Sequence, residues 1–383
     1  MKIRDIHVHK FRNHTQTDAV FGEGVNALLG QNGEGKTNLL EAISYLCLTK
    51  SFFGSTDGVV LQIGEDRFEV SGELEGDTGI RYHVAVTYEH AEREKEFFIN
   101  RTRVEKFSDV VGQFPVVVLS PESGAITTGG PVDRRRFIDF VISQASKVYL
   151  EDLLEYRRVL RQRNRVLFDS KVSRTDATDL LEPWNEELVD RGARIVHRRH
   201  LFLGELQPLV TEAYGSIAGR VEEPMMTYEP SVEAEESTSE GAIRQVFVKE
   251  LKRKATEEKR FGITLVGPHR DELVLTINNL GVRSHASQGQ HKTFLVALKV
   301  AEFLYLQSKR KERPILLLDD IFTELDKHRA ERLLALTESV GQAFITTTSD
   351  GVFPADFNWA NINKRFVVHR GMVGHEGARV LTH

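Results

Sequence analysis

Apolar residues follow two different periods along this chain, and the change between them divides it. Up to about residue 122 the pattern is mostly that of strands. Ile3 to Val8 alternates loosely, and Val20 to Leu29 returns the chain to the sheet, its last five residues apolar apart from Asn26. Val59–Ile63, Phe68–Leu74, Tyr82–Tyr88 and Glu96–Val104 are short, β-rich and spaced like an antiparallel meander, with Glu75–Gly79 as one turn. Phe114–Leu119 reads as a buried strand ending at Ser120-Pro121-Glu122. One helix interrupts them, Asn38–Leu48, with Leu39, Leu40, Ile43 and Leu46 at helical spacing.

From Asp133 to about Ala213 the period is helical. Two long helices are predicted, near Ser146–Asp169 and Pro183–Ala213, joined by the polar segment 170–182 as an antiparallel hairpin. Ser231–Gly241 is acidic and serine-rich, which predicts a loop, and Ile243–Arg260 is a charged helix. Ile263–Val266 reads as a strand ending in the turn Gly267-Pro268-His269-Arg270-Asp271. His291–Leu306 is apolar almost all round and so predicted to be a buried helix. Ile315–Leu318 is a buried strand ending in Asp319 and Asp320, and Ala343–Thr348 is a further strand with hydroxyls at its exit.

Composition narrows the class. The chain has 383 residues and a formal net charge of -5, so any nucleic-acid contact has to come from local basic patches. Its single cysteine, Cys47, rules out an intramolecular disulfide and reads as a core residue of a cytoplasmic protein. The charged start Met1–Asp5 is unlike a signal peptide, and no apolar window is long enough for a membrane span, so no membrane partner is expected.

The chemistry centres on Gly30-Gln31-Asn32-Gly33-Glu34-Gly35-Lys36-Thr37, which matches G-x-x-x-x-G-K-[ST] without departure. A strand leads in and a helix starting at Asn38 leads out, as a polyphosphate cradle requires. Glycines let backbone N–H groups wrap the phosphates, and the helix N-terminus faces them. Lys36 is the candidate for the β- and γ-phosphates, and the Thr37 hydroxyl for Mg²⁺. Asp319 ends an apolar strand and offers the carboxylate a phosphate loop lacks. Asp320, one residue on, is placed to orient an attacking water. Ser287-Gln288-Gly289-Gln290 opens the apolar helix and pairs a hydroxyl with an anion-binding N-terminus. Arginines fall in helical stripes at 157, 161 and 165, joined by Arg158 and Arg163, and at 191, 194 and 198. Such stripes serve either a DNA backbone or intramolecular pairs.

This order of motifs is that of ABC-type ATPase heads, and the chain resembles the RecF family of recombination mediators, in the SMC-like branch. The likeness rests on Lys10-Phe11-Arg12-Asn13, the phosphate loop, Ser120-Pro121-Glu122 with Arg134-Arg135-Arg136-Phe137, and Gly267–Asp271. It continues through Ser287–Gln290, Leu317-Leu318-Asp319-Asp320 and Glu324-Leu325-Asp326. It implies an α/β fold: an ATP-binding lobe of mixed sheet and antiparallel meander from residues 1–122 and 311–383. Residues 123–310 would form a helical second lobe carrying the signature helix.

The resemblance further implies that Lys36, Thr37 and Asp319 hold ATP and Mg²⁺, with Gly30–Asn38 around the phosphates and Arg12 and Asn13 at the phosphate and adenine side. Ser287, Gly289 and Gln290 with Asp326 would complete the site across an ATP-dependent homodimer. Double-stranded and gapped DNA, RecR, RecO and RecA are the implied partners. Three departures from other ABC heads imply slow hydrolysis: Asp320 for a glutamate, Thr346-Thr347-Thr348 for a switch histidine, and Ser120–Glu122 for a metal-facing glutamine. A transporter's nucleotide subunit and a chromosome-bridging SMC protein are the competing classes. The missing histidine with the long helical insert weighs against the first, and the absence of long heptads against the second.

Overall fold

The computed structural model describes residues 1–176, 178–219, 221–234, 239–322, 327–359 and 362–375. It divides into two units: Met1–Gly124 with Ser216–Ala218 and Gln288–His383, and Ala125–Gly215 with Gly219–Ser287.

The first unit holds two sheets. One is antiparallel, ordered His14–Val20, Asp5–Phe11, Arg67–Glu75, Arg81–Glu89, Glu94–Ile99, Thr102–Arg103, with Lys2–Ile3 also on Arg67–Glu75. Its strands alternate buried and exposed residues, as one-sided burial requires: Phe68, Val70 and Leu74 face inward, as do Val84 and Val86 of the next strand. The other sheet is ordered Met372–His375, Lys364–His369, Val25–Leu29, Ala343–Thr347, Ile315–Leu318, Val116–Leu119. All its pairings are parallel except the terminal hairpin. Val116–Leu119 and Ile315–Leu318 are buried at every position, which explains their unbroken apolar runs.

The helix Lys36–Leu48 packs on strands of both sheets and buries nearly every side chain. Phe11, Tyr45 and Phe68 meet edge to face around it, with ring centroids 5.3–5.6 Å apart. Cys47 is buried there, its thiol pushed up to about 12 by burial.

Several sequence expectations shift in detail. Val59–Ile63 is not a strand: Asp57–Val60 is a short helix, with Asp57 held by Lys95 and Tyr45. Only Leu61 makes a bridge, to Phe11. The segment 96–104 splits at Asn100-Arg101, both at positive φ (50° and 68°), the geometry of a tight hairpin. Val20–Leu29 breaks at Phe21–Gly24, where the buried Asn26 accepts from Gly22 N and donates to the carbonyls of Gly22 and Gly24. The polar residue inside an apolar strand is thus a turn lock. The helix Gln288–Arg310, which the family resemblance groups with the second lobe, lies in the first unit, where it packs on Val116–Leu119.

The second unit is helical: Pro131–Ala145, Lys147–Ser173, Thr178–Ala218 as far as Gly215, and Glu240–Phe261, with a three-stranded sheet Pro224–Glu229, Glu272–Ile277, Leu280–Gly281. The expected hairpin is antiparallel, because Tyr149 meets Arg199, Asp152 meets Arg191, and Arg163 meets Asn185. The strand expected at Ile263–Val266 lies instead after the turn, at Glu272–Ile277. Thr264 N donates to Asn164 Oδ1 and Leu265 N to Glu258 Oε1, so side chains satisfy the backbone that a ladder would have used.

Two motifs meet in this unit. Arg134 grips Glu272 with two bonds of 2.9 Å, and Arg135 donates to Asp271 O at 2.6 Å. Arg199, fully buried, donates to Asp139 (2.7 Å), Asp271 (3.0 Å) and Pro268 O (2.8 Å). His269 is wedged between the Tyr156 hydroxyl at Nδ1 (2.7 Å) and Thr264 O at Nε2 (3.2 Å). A carbonyl only accepts, so Nε2 carries the hydrogen and Nδ1 accepts from Tyr156 in the neutral ring.

Burial, aided by nearby arginines, pushes His269 from 6.5 down to about 4. Below 6.5 the unfolded chain therefore binds a proton that the folded one refuses. The stabilisation is complete above pH 6.5 and lost as pH falls toward 4, about 3 kcal/mol in all. Denaturant midpoints measured from pH 7.5 to 4.5 are expected to fall on acidification, and less steeply in His269→Gln. An equal slope in the variant would count against this assignment.

Candidate functional site

In a parallel sheet, binding sites form at the carboxyl ends of the strands. Here those ends deliver the phosphate loop after Leu29, Asp319 after Leu318, Thr346 near the end of Ala343–Thr347, and Ser120–Glu122 after Leu119. Asp319 N donates to Leu119 O at 2.9 Å, fixing its place beside that neighbouring strand.

The loop's glycines have separate reasons. Gly33 and Gly35 hold φ of +84° and +111°, a region costly for side chains. A Cβ on Gly35 would also stand 2.6 Å from Asn13 Oδ1, and one on Gly30 would stand 2.4 Å from Val368 O. Lys36 is nearly buried and folds back on the loop, donating to Gly30 O (2.8 Å) and Gln31 O (3.0 Å). Burial lowers its pKa, opposed by the charges of Asp320, Asp319 and Glu34.

The Thr37 hydroxyl donates to Asp319 Oδ1 at 2.8 Å, across 282 positions of sequence. Thr346 Oγ1 donates to the same oxygen at 2.8 Å and accepts the N–H of Asp320 at 2.8 Å. Asp319 is buried, and burial raises its pKa against those two bonds, with Glu122 and Asp320 adding to the rise. A buried carboxylate flanked by like charges is a place where a cation is favoured. Among the described residues no group of three or more His, Cys, Asp or Glu side chains is set to hold a metal. Thr37 and Asp319 offer two hard oxygen atoms side by side, a partial donor set of the kind Mg²⁺ completes with water and phosphate. Asp320 follows at φ 50°, half exposed at the strand exit.

Around this centre the loop is braced on three sides. Asn38 donates to Asn13 Oδ1 at 2.8 Å, and Asn13 lies 3.5 Å from Gly33 O. His14, buried, places Nε2 3.0 Å from Gly35 O, and burial lowers its pKa, which keeps the ring neutral. Glu34 accepts from Arg370 N, pairs with His369 at 3.2 Å, and its carbonyl accepts from Gly371 N at 2.8 Å. Arg12 grips the buried Glu41 through Nε (2.7 Å) and Nη2 (2.9 Å) and also reaches Ser55. Its guanidinium is thus committed to the fold beside the loop's helix. The roles of His14, Glu41, His369 and Thr346 escape sequence reasoning; only the hydroxyl run 346–348 left a trace.

The signature residues straddle the boundary of the two units, Ser287 ending the second and Gly289 and Gln290 belonging to the first. Ser287 is exposed, and Gly289 and Gln290 are half exposed at the start of Gln288–Arg310. The Arg329 guanidinium covers Gly289, 3.3 Å from where a Cβ would be, and Thr293 donates to Gly289 O at 2.9 Å. Asp326 falls outside the described residues, as do Glu324 and Leu325.

The arginine stripes divide. Arg191, Arg194 and Arg198 converge on the buried Asp152 at 2.7, 3.5 and 3.9 Å. Arg163 is buried against Glu258 at 2.6 Å, and Arg157 reaches Asp139 at 3.2 Å. Arg161 and Arg165 are exposed. Among the described residues no helix is long and apolar enough to cross a membrane.

Residues 2–364 match the family described as the RecF/RecN/SMC N terminal domain. The chain is 45% identical over 353 residues to a DNA replication and repair protein RecF of Chloroherpeton thalassium, covering 91% of this chain and 95% of that one. It is 41% identical to the one from Salinibacter ruber, covering 94% and 87%. A solved structure of the recombination mediator protein RecF with ATPrS, in the RecFOR pathway, superposes with a TM-score of 0.89 at 32% identity over 98% of both chains. The Smc head domain of Pyrococcus furiosus superposes at 0.55 with 14% identity over 97% and 94%, which supports the head fold alone. The mixed α/β architecture expected from the motifs is that of these heads, and the chain belongs to the RecF family of DNA replication and repair proteins.

Proposed function

We propose that this protein is an ATP-switched recombination mediator. ATP lies along Gly30–Asn38, with Lys36 turning from the loop carbonyls to the β- and γ-phosphates. The observation that carries the reading is the 2.8 Å bond from the Thr37 hydroxyl to Asp319, which joins the phosphate loop to a buried carboxylate. Mg²⁺ held by these two residues would neutralise phosphate charge as it develops. Asp320 orients the attacking water from the strand exit. The exposed Ser287 and the half-exposed Gly289 and Gln290 meet the γ-phosphate of a second copy, and Asp326 crosses the same interface, so that ATP closes a homodimer. That dimer binds duplex DNA near a single-strand gap, with exposed cations such as Arg161 and Arg165 as phosphate contacts. With RecO and RecR it promotes RecA loading, and slow hydrolysis, stimulated by DNA, releases it. The relatives' place in DNA repair and in the RecFOR pathway supports this assignment.

Asp320→Asn is expected to bind ATP as wild type does, because the amide keeps the side chain's shape. It cannot accept a proton, so turnover should fall about 100-fold or more. Gel filtration with ATP should then show a lasting dimer where wild type returns to monomer. Wild-type turnover in the variant would move the role to Glu122.

A further inference from the structure

We propose that Thr346 is the positioning residue of the cation site, a single hydroxyl that sets both the metal-facing and the water-facing carboxylates. The inference deepens the reading of an ATP and Mg²⁺ site given above and rests on it. Thr346 is fully buried on Ala343–Thr347, a strand flanked on both sides by parallel partners. It therefore has a fixed position relative to the sheet. Its one proton goes to Asp319 Oδ1 at 2.8 Å, and its lone pair takes the N–H of Asp320 at 2.8 Å.

The first bond sets the carboxylate's rotamer with a donor that does not depend on the phosphate loop. Thr37 also donates to Oδ1, but its hydroxyl is itself a candidate metal ligand, and a metal there would take the lone pairs and turn the proton. The second bond holds the backbone where the chain turns at Asp320, whose φ of 50° is sparsely populated by residues with side chains. It ties the Asp320 backbone to this strand, and with it the direction in which the carboxylate leaves the chain. The two bonds of the Thr346 hydroxyl go to Asp319 and Asp320, so it acts through the two aspartates.

Thr346→Val keeps the shape and removes both bonds, and Thr346→Ser restores the hydroxyl. ATP affinity is measured for each in Mg²⁺ and in EDTA, alongside Mn²⁺ binding by EPR and steady-state turnover. In Thr346→Val the EDTA affinity should match wild type, which also reports an intact fold. The gain in affinity that Mg²⁺ gives, the Mn²⁺ affinity and kcat should each fall by about 10- to 100-fold, the usual loss when a partner of a metal ligand is removed. Thr346→Ser should recover most of each. A valine variant that keeps the full Mg²⁺ gain and kcat overturns the role of Thr346 alone. A wild type whose ATP affinity is the same in Mg²⁺ and EDTA overturns the cation site and this inference together. A valine variant that loses affinity equally in EDTA overturns it too, since the defect would then lie in the fold.

Discussion

Lys36→Met should lose ATP binding by at least about 100-fold, the cost of removing one charge from a tightly opposed pair. The ammonium is the one cation inside the phosphate loop, and it is poised: it already sits on the carbonyls of Gly30 and Gln31, at 2.8 and 3.0 Å. Polyphosphate offers it anionic oxygens in place of neutral ones, and charge-assisted bonds are roughly twice as strong. Burial lowers its pKa while Asp320, Asp319 and Glu34 pull the other way, so a bound phosphate only reinforces the charged form. Methionine fills the same volume but donates nothing, leaving two loop carbonyls without that donor as well. Isothermal titration with ATP measures the loss, and a melting curve without nucleotide separates it from damage to the fold. An affinity within about threefold of wild type would contradict a lysine that faces phosphate.

How much of this was legible in the sequence depends on how local each cause is. The phosphate loop declares itself because its glycines answer to backbone geometry within eight residues, and because a strand and a helix must flank it. Asp319 is legible as the end of an apolar strand. Thr346 is not, because its two bonds depend on a parallel register, Leu318 beside Ile345, that no local pattern encodes. Arg12 reads as a nucleotide contact, yet Glu41, on the buried face of the loop's helix, takes its guanidinium. The stripe 191, 194 and 198 has the right period for a DNA-facing row. The antiparallel hairpin register brings Asp152 opposite it, and all three arginines turn to that carboxylate. Likewise, the helix Gln288–Arg310 was recognisable as buried, but an all-round apolar pattern does not say which sheet covers it. The general lesson is that periodicity names a face, and register names its partner.

Ser287→Arg tests whether the proposed site is shared between two copies. Ser287 is exposed, and it directly precedes Gln288–Arg310, the helix whose N-terminus offers backbone N–H groups to an anion. In the proposed dimer the γ-phosphate of the second copy lies against this junction. An arginine there occupies the space that the backbone needs, so the monomer should bind ATP as wild type does while ATP-induced dimerisation is lost. Gel filtration or light scattering with ATP reads the second effect, and titration of ATP the first. Hydrolysis and ATP-dependent DNA binding should disappear together with the dimer. Mixing Ser287→Arg with Lys36→Met gives the sharper measurement. In a mixed dimer one composite site joins an intact phosphate loop to an intact signature, while the other carries both lesions. Activity in the mixture, absent from either variant alone, is the expected outcome. If Ser287→Arg instead lowers ATP affinity of the monomer, the serine meets the nucleotide of its own chain, and two copies are not needed to complete the site.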